Sequence, residues 1–145
     1  MSLTTLKLKN FRNHKNASFN FPLTTVIIGR NTVGKTSILE AIQFLSLGKS
    51  FKAAKDMDAI SEGQDFANIE AKIMDTDGKT TLTVVLAKRE NGFSKKYMVN
   101  NVARRLSDFI SHFPSILCPL IALSSLSLIR EVYFYIYYVS YAPTI

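Results

Sequence analysis

Residues Gly29-Arg30-Asn31-Thr32-Val33-Gly34-Lys35-Thr36 follow the pattern G-x-x-x-x-G-K-[ST], a loop whose residue types suit the binding of phosphate groups. The roles divide by chemistry. Lys35 is expected to reach the β/γ-phosphates and the Thr36 hydroxyl to hold Mg²⁺, while Gly29 and Gly34 allow the backbone to approach closely. Backbone N–H groups of Arg30, Asn31, Thr32 and Val33 complete a cradle for a di- or triphosphate, reinforced by the positive end of a following helix. Thr32 is β-branched at a point of tight curvature, and a positive φ there would cost about 1–3 kcal/mol.

The elements that must position this loop are legible on both sides. Val26-Ile27-Ile28 is a β-branched run that predicts a buried strand. After the loop, Ile38, Leu39, Ile42 and Leu45 share one helical face, and the helix after Thr36 is expected to run to about Leu47, with Gly48 as its stop. Upstream, Leu6, Leu8 and Phe11 should point one way from a first strand. Asn10 to Asn16 reads as a polar turn, and Ala17 to Phe21 as a second strand pairing back. Gly48 to Lys55 forms an exposed basic connector. Beyond it the period becomes two: Phe66–Asp75, Lys79–Arg89 and Phe93–Val99 predict three strands, separated by the hairpin signals Asp77-Gly78 and Asn91-Gly92. Asn100-Asn101 predicts a further turn, and Ser107 to Ile110 a short helix.

The chain has 145 residues, enough for one domain with a real core. Lys and Arg number 18 against 11 Asp and Glu, a net charge of +7 that favours anionic partners. Lys49, Lys52, Lys55, Lys88, Arg89, Lys95, Lys96, Arg104 and Arg105 are candidate contacts to nucleic-acid phosphates, which would make binding sequence-neutral and salt-sensitive. The sole cysteine, Cys118, excludes an internal disulfide framework and fits a reducing compartment. The amino terminus has no signal-peptide core, so a cytoplasmic protein is expected.

The composition then breaks. From Ile116 to Ile145 the charged residues are Arg130 and Glu131 alone, and five of the six tyrosines fall there. Residues 118–145 are expected to be a separate, atypical apolar tail, of the kind a frameshift near residue 118 would produce.

Leu8-Lys9-Asn10-Phe11-Arg12-Asn13, the phosphate loop, Leu39-Glu40-Ala41-Ile42 and Leu45-Ser46-Leu47-Gly48-Lys49-Ser50-Phe51 together resemble the amino-terminal part of the RecF family, within the SMC/ABC-type ATPases. The resemblance covers roughly residues 1–117. It implies an α/β fold, a partial ATPase head of the ABC/SMC type, with a mixed sheet around the phosphate-loop helix plus an antiparallel β lobe. It implies ATP and Mg²⁺ as ligands at Gly29 to Thr36, and it places Arg12 beside the phosphates. It also implies ATP-dependent DNA binding in replication, recombinational repair and the SOS response. The partners implied are single- and double-stranded DNA at gaps, other recombination-repair proteins, and a second subunit in an ATP-dependent homodimer. No membrane partner is implied.

ATP hydrolysis needs carboxylates that hold Mg²⁺ and activate water. No run of four apolar residues followed by Asp occurs after the loop, and the family's signature motif is absent, so the chain reads as the front third of a longer protein. The nearest candidate, Asp75, is expected to be a hairpin residue. Two other readings are open. Asp75-Thr76-Asp77-Gly78 satisfies the D-x-x-G motif of a GTPase, but no Asn-Lys-x-Asp motif accompanies it. Phe109 to Ile129 carries no formal charge over 21 residues, the length of a membrane span, although Pro114, Pro119 and five serines weaken that reading.

Overall fold

A computed structural model describes residues 1–22, 25–27, 33–76, 78–113 and 134–136 of the chain. The first strand, β1 (Ser2–Phe11), buries Leu3, Leu6, Leu8 and Phe11, so it does not alternate with a strict period of two. A register shift between Leu3 and Thr5 absorbs one odd step. The other falls at Asn10, whose φ of 53° lies in the left-handed region that Asn tolerates better than most residues.

β1 turns at Arg12 and Asn13 and returns as β2 (His14–Asn20), with Phe11 opposite His14 and Leu6 opposite Phe19. The polar turn expected over Asn10 to Asn16 is therefore shorter, because both strands run into it. β2 is an edge strand of the sheet, and its many polar side chains imitate the composition of a loop. β3 (Thr25–Ile27) leads toward the phosphate loop and pairs antiparallel with β8 (Phe134–Ile136), so three residues of the apolar tail join the strand before the loop. Ile27 packs half-buried against the core; Ile28 lies outside the described residues.

The helix α1 (Lys35–Leu47) is buried around most of its circumference: Ile38, Leu39, Ile42 and Leu45 are joined inside by Ala41 and Phe44. The Phe44 ring meets Phe11 edge-on at 5.9 Å, fixing the helix against the end of β1. Gly48 ends the helix at φ 69°, its N–H donating to the Phe44 carbonyl at 3.0 Å. A Cβ at Gly48 would lie 2.3 Å from Leu106 Cδ1 and 3.1 Å from the Tyr97 hydroxyl. Gly48→Ala is thus expected to lower stability by about 1–2 kcal/mol from the left-handed backbone alone, read as a shift in the urea midpoint with an unchanged slope.

After the connector, a 3₁₀ turn (Asp56–Ala59) brings Ile60 into a single bridge with Phe11. The meander follows as expected: β4 (Phe66–Asp75), β5 (Gly78–Arg89) and β6 (Gly92–Val99). Asn100 and Asn101, both at positive φ, make the tight turn into β7 (Val102–Arg104). The short helix α2 (Leu106–Ile110) buries Phe109 against Tyr97.

One six-stranded sheet results, in the order β2-β1-β4-β5-β6-β7. The fold class is the one expected, a partial head of the ABC/SMC type, but the described strands pair only antiparallel and β1 and β2 are continuous with the meander. A parallel pair needs a crossover of a dozen or more residues back into the same sheet, and the one long helix here leads to β4, which joins β1 and β5 instead. Leu6, Leu8, Ile69, Ala71, Leu82, Val84 and Leu86 line the inner face with α1 and α2. Among the described residues, no helix is long and apolar enough to cross a membrane.

Candidate phosphate-binding site

Gly34 caps α1 at φ 99° and ψ 16°, and its carbonyl accepts the Ile38 N–H at 3.2 Å. The N–H groups of Lys35, Thr36 and Ser37 have no carbonyl one turn earlier in the helix and mark its positive end. Lys35, the first helical residue, is 7% exposed; Thr36 beside it is half-buried, and Val33 is 52% exposed. Gly29, Arg30, Asn31 and Thr32 lie outside the described residues.

The turn between β1 and β2 presses on this helix terminus. A Cβ at Gly34 would lie 2.6 Å from both Asn13 Oδ1 and His14 Nε2. His14 Nε2 sits 3.2 Å from the Gly34 carbonyl, to which it donates in the Nε2–H tautomer.

Arg12, at the tip of the same turn, is held by the helix. Its Nε donates to Glu40 Oε2 at 2.8 Å, Nη2 to Glu40 Oε1 at 2.6 Å, and Nη1 to the Asp58 carbonyl at 2.8 Å. Glu40 is wholly buried in the middle of α1. The hydrogen bonds to Glu40 raise the guanidinium pKa above its ordinary value, outweighing the burial that opposes the charge. The backbone of Arg12 is tied down as well: its N–H donates to the Ala59 carbonyl at 2.8 Å and its carbonyl accepts the Ser61 hydroxyl at 2.6 Å. So the residue expected beside the phosphates is committed to an ion pair that anchors the turn, while its neighbours Asn13 and His14 meet the loop.

The network extends into the connector, where Ser50 donates its hydroxyl to Glu40 Oε1. That hydroxyl oxygen accepts the N–H groups of Lys52 at 2.9 Å and Ala53 at 2.8 Å, and the Ser50 N–H donates to Asp56 Oδ1 at 2.9 Å. Lys95 closes the circuit, reaching Asp56 Oδ2 at 2.7 Å and the Gly48 carbonyl at 2.9 Å, a carbonyl that also accepts from the Tyr97 hydroxyl at 3.0 Å. Burial works against the Lys95 ammonium, yet the hydrogen bond to Asp56 and the proximity of Tyr97 outweigh it and raise its pKa. Lys95 is therefore committed to Asp56 and the Gly48 carbonyl on the core side of the sheet, and Lys96 faces the opposite side of the strand.

Sequence reasoning singled out neither Glu40 nor Asp56 as functional, and used Gly48-Lys49-Ser50-Phe51 without a physical role for it. The available signal was Glu40 itself, a carboxylate set between the apolar pairs Ile38-Leu39 and Ala41-Ile42 and one turn before Phe44. Asp75 closes the β4–β5 hairpin opposite Gly78 and lies 3.9 Å from the chain's amino terminus, as a hairpin residue does; Asp77 of the D-x-x-G motif lies outside the described residues. The GTPase and membrane readings are not favoured.

Known proteins share this sequence and fold. Residues 1–113 match the AAA ATPase domain family. The DNA replication and repair protein RecF of Halalkalibacterium halodurans is 43% identical over 112 residues, 76% of this chain and 29% of that protein. RecF of Oenococcus oeni is 38% identical over 119 residues, 81% of this chain and 31% of that protein. The chain thus spans about a third of the length of the curated relatives it matches. Among solved structures, the recombination mediator protein RecF–ATP in the RecFOR pathway aligns over 81% of this chain and 32% of that one, with a TM-score of 0.71 and 26% identity. The SMC head domain from Thermotoga maritima shares the fold at a TM-score of 0.58 and 22% identity, over 77% of this chain and 42% of that one. A family match over residues 1–113, ending just before the composition breaks, shows that this chain belongs to the AAA ATPase domain family and, within it, is similar to the amino-terminal part of RecF.

Proposed function

We propose that the chain is an ATP-binding module of the RecF type that works with DNA in replication and recombinational repair. The observation that carries the reading is the first turn of α1, which opens on Gly34 in the left-handed region and continues with a buried Lys35 and a half-buried Thr36. The relatives' names supply the biological setting, and a structural neighbour of 26% identity is described with ATP. Gly29 to Thr36 would cradle the triphosphate, with Lys35 on the β/γ-phosphates.

Thr36 fits a Mg²⁺ bound mainly through the nucleotide, because Mg²⁺ commonly takes one or two protein ligands and fills the rest with phosphate oxygens and water. No cluster of three metal-ligating side chains occurs among the described residues, so the cation would arrive with ATP. Arg12 acts by holding Asn13 and His14 against the loop; its own reach to the phosphates would require release from Glu40. An ATP-dependent homodimer, gapped DNA, other repair proteins, the SOS response and a cytoplasmic location belong to the same proposal. Residues 118–145, beyond the family match, are proposed to be a segment foreign to the family, checked by reading the encoding DNA beyond codon 115 in all three frames.

The nucleotide reading is tested by competition. A fluorescent ATP analogue in Mg²⁺ should be displaced by ATP and far less by GTP, and turnover should be undetectable. Preference for guanine would overturn the reading, and turnover dependent on Lys35 would show that carboxylates elsewhere complete the reaction.

A further inference from the structure

The helices cover one face of the six-stranded sheet; the strand registers show what stands on the other. Lys7, Lys9, Lys72, Lys79, Arg89 and Lys96 all project from the face opposite the core, and all six are exposed. Glu70 is the one carboxylate in the strands on that face, and it meets only Lys7, at 3.6 Å.

The positions form a lattice. Lys9, Asn68, Val85 and Lys96 lie on one cross-strand row, which puts Lys9 and Lys96 about 14 Å apart at the usual strand spacing. Lys72 sits on a parallel row opposite Thr5 and Thr81, about 14 Å from the first along the strand direction. Between the cations the side chains are mostly small and polar, among them Asn68, Thr81 and Ser94, with Met74, Val85, Ala87 and Met98 as the apolar members. Phe66, the one exposed ring there, lies under the Lys9 ammonium at 5.5 Å and so serves the cation rather than an unpaired base. Four of the six, Lys7, Lys9, Lys72 and Lys79, are not among the cations singled out from sequence, because they are spread over three strands and gather only when the sheet forms.

We infer that this open sheet face is a docking surface for the phosphate backbone of double-stranded DNA. This rests on the DNA-binding part of the proposed function and locates it. A broad cationic face with polar filling and no free aromatic platform suits a polyanion that carries one charge per about 1.7 Å, recognised without regard to sequence.

The experiment is fluorescence anisotropy of a labelled DNA duplex with the full chain. Lys9→Gln/Lys72→Gln/Lys96→Gln on the open face is compared with Lys49→Gln/Lys52→Gln/Lys55→Gln on the connector, which removes the same charge elsewhere. The face variant should lose at least about tenfold in affinity, and its slope of log K against log salt should flatten by up to about 2.7, at 0.9 per lost phosphate contact. The connector variant should stay within about threefold of the parent. Equal losses in both variants would mean bulk charge and overturn the assignment while leaving DNA binding in place, as would binding that neither variant weakens. No binding by the parent chain would overturn the DNA-binding reading together with the face. Binding of phosphatidylserine vesicles through the face, without duplex binding, would assign it to a membrane surface instead.

Discussion

Lys35→Ala should bring ATP binding below detection while leaving the fold intact. The ammonium belongs to the first residue of α1, which is buried to 7% exposure at the positive end of the helix. A hydrogen bond to a charged group contributes about 1.5–3 kcal/mol, which corresponds to a loss of roughly 10- to 150-fold. From a modest starting affinity that loss removes the signal in a fluorescent-nucleotide titration. Lys35 lies outside the apolar core, so far-ultraviolet circular dichroism should be unchanged and shows that the variant is folded. Retained affinity in a folded variant would sink the assignment of Lys35 to the phosphates.

Arg12→Ala is expected to show the reverse pattern, with stability falling first. It strands the Glu40 carboxylate, wholly buried in α1, with the Ser50 hydroxyl as its remaining hydrogen-bond partner among the described residues. Removing one member of a buried ion pair costs about 3–5 kcal/mol. Arg12 keeps 20% of its side chain exposed, so the lower end, ~3 kcal/mol, is expected. That is a large share of the 5–15 kcal/mol that holds a typical domain together. Urea unfolding of Arg12→Ala and of Arg12→Ala/Glu40→Leu checks the mechanism. If the uncompensated carboxylate is the cause, the double variant recovers much of the loss; a single-variant loss under about 1 kcal/mol would mean the pair is dispensable.

The meander was readable from sequence because its turns announce themselves. Two Gly-containing dipeptides bracket β5, and the exposed edges of each strand alternate with buried ones. The phosphate-loop helix was readable for a similar reason: an apolar run follows a glycine and stops at another. What composition could not carry was the packing of polar groups at long range. Arg12 and Glu40 are 28 residues apart, Asp56 and Lys95 are 39 apart, and neither pair has a local signature. The β1–β2 turn was drawn too long because an edge strand with few buried side chains offers no hydrophobic period to read. The two odd steps in β1 were missed because a bulge and one left-handed Asn are resolved only against partner strands.

The contact between Gly34 and the β1–β2 turn bears on how a phosphate-loop motif reports on activity. Asn13 and His14 fill the space a methyl group at Gly34 would need, so a larger residue there must push both side-chain ends aside and also hold a φ of 99° that L residues rarely adopt. The glycine is required by the neighbouring turn as well as by a ligand. A descendant of this chain that had abandoned nucleotide chemistry altogether would still lose about 1–2 kcal/mol by replacing it. One of the four defined positions of the pattern is thus in part a record of architecture, and Lys35 is the position whose retention or drift would distinguish a working module from a relic.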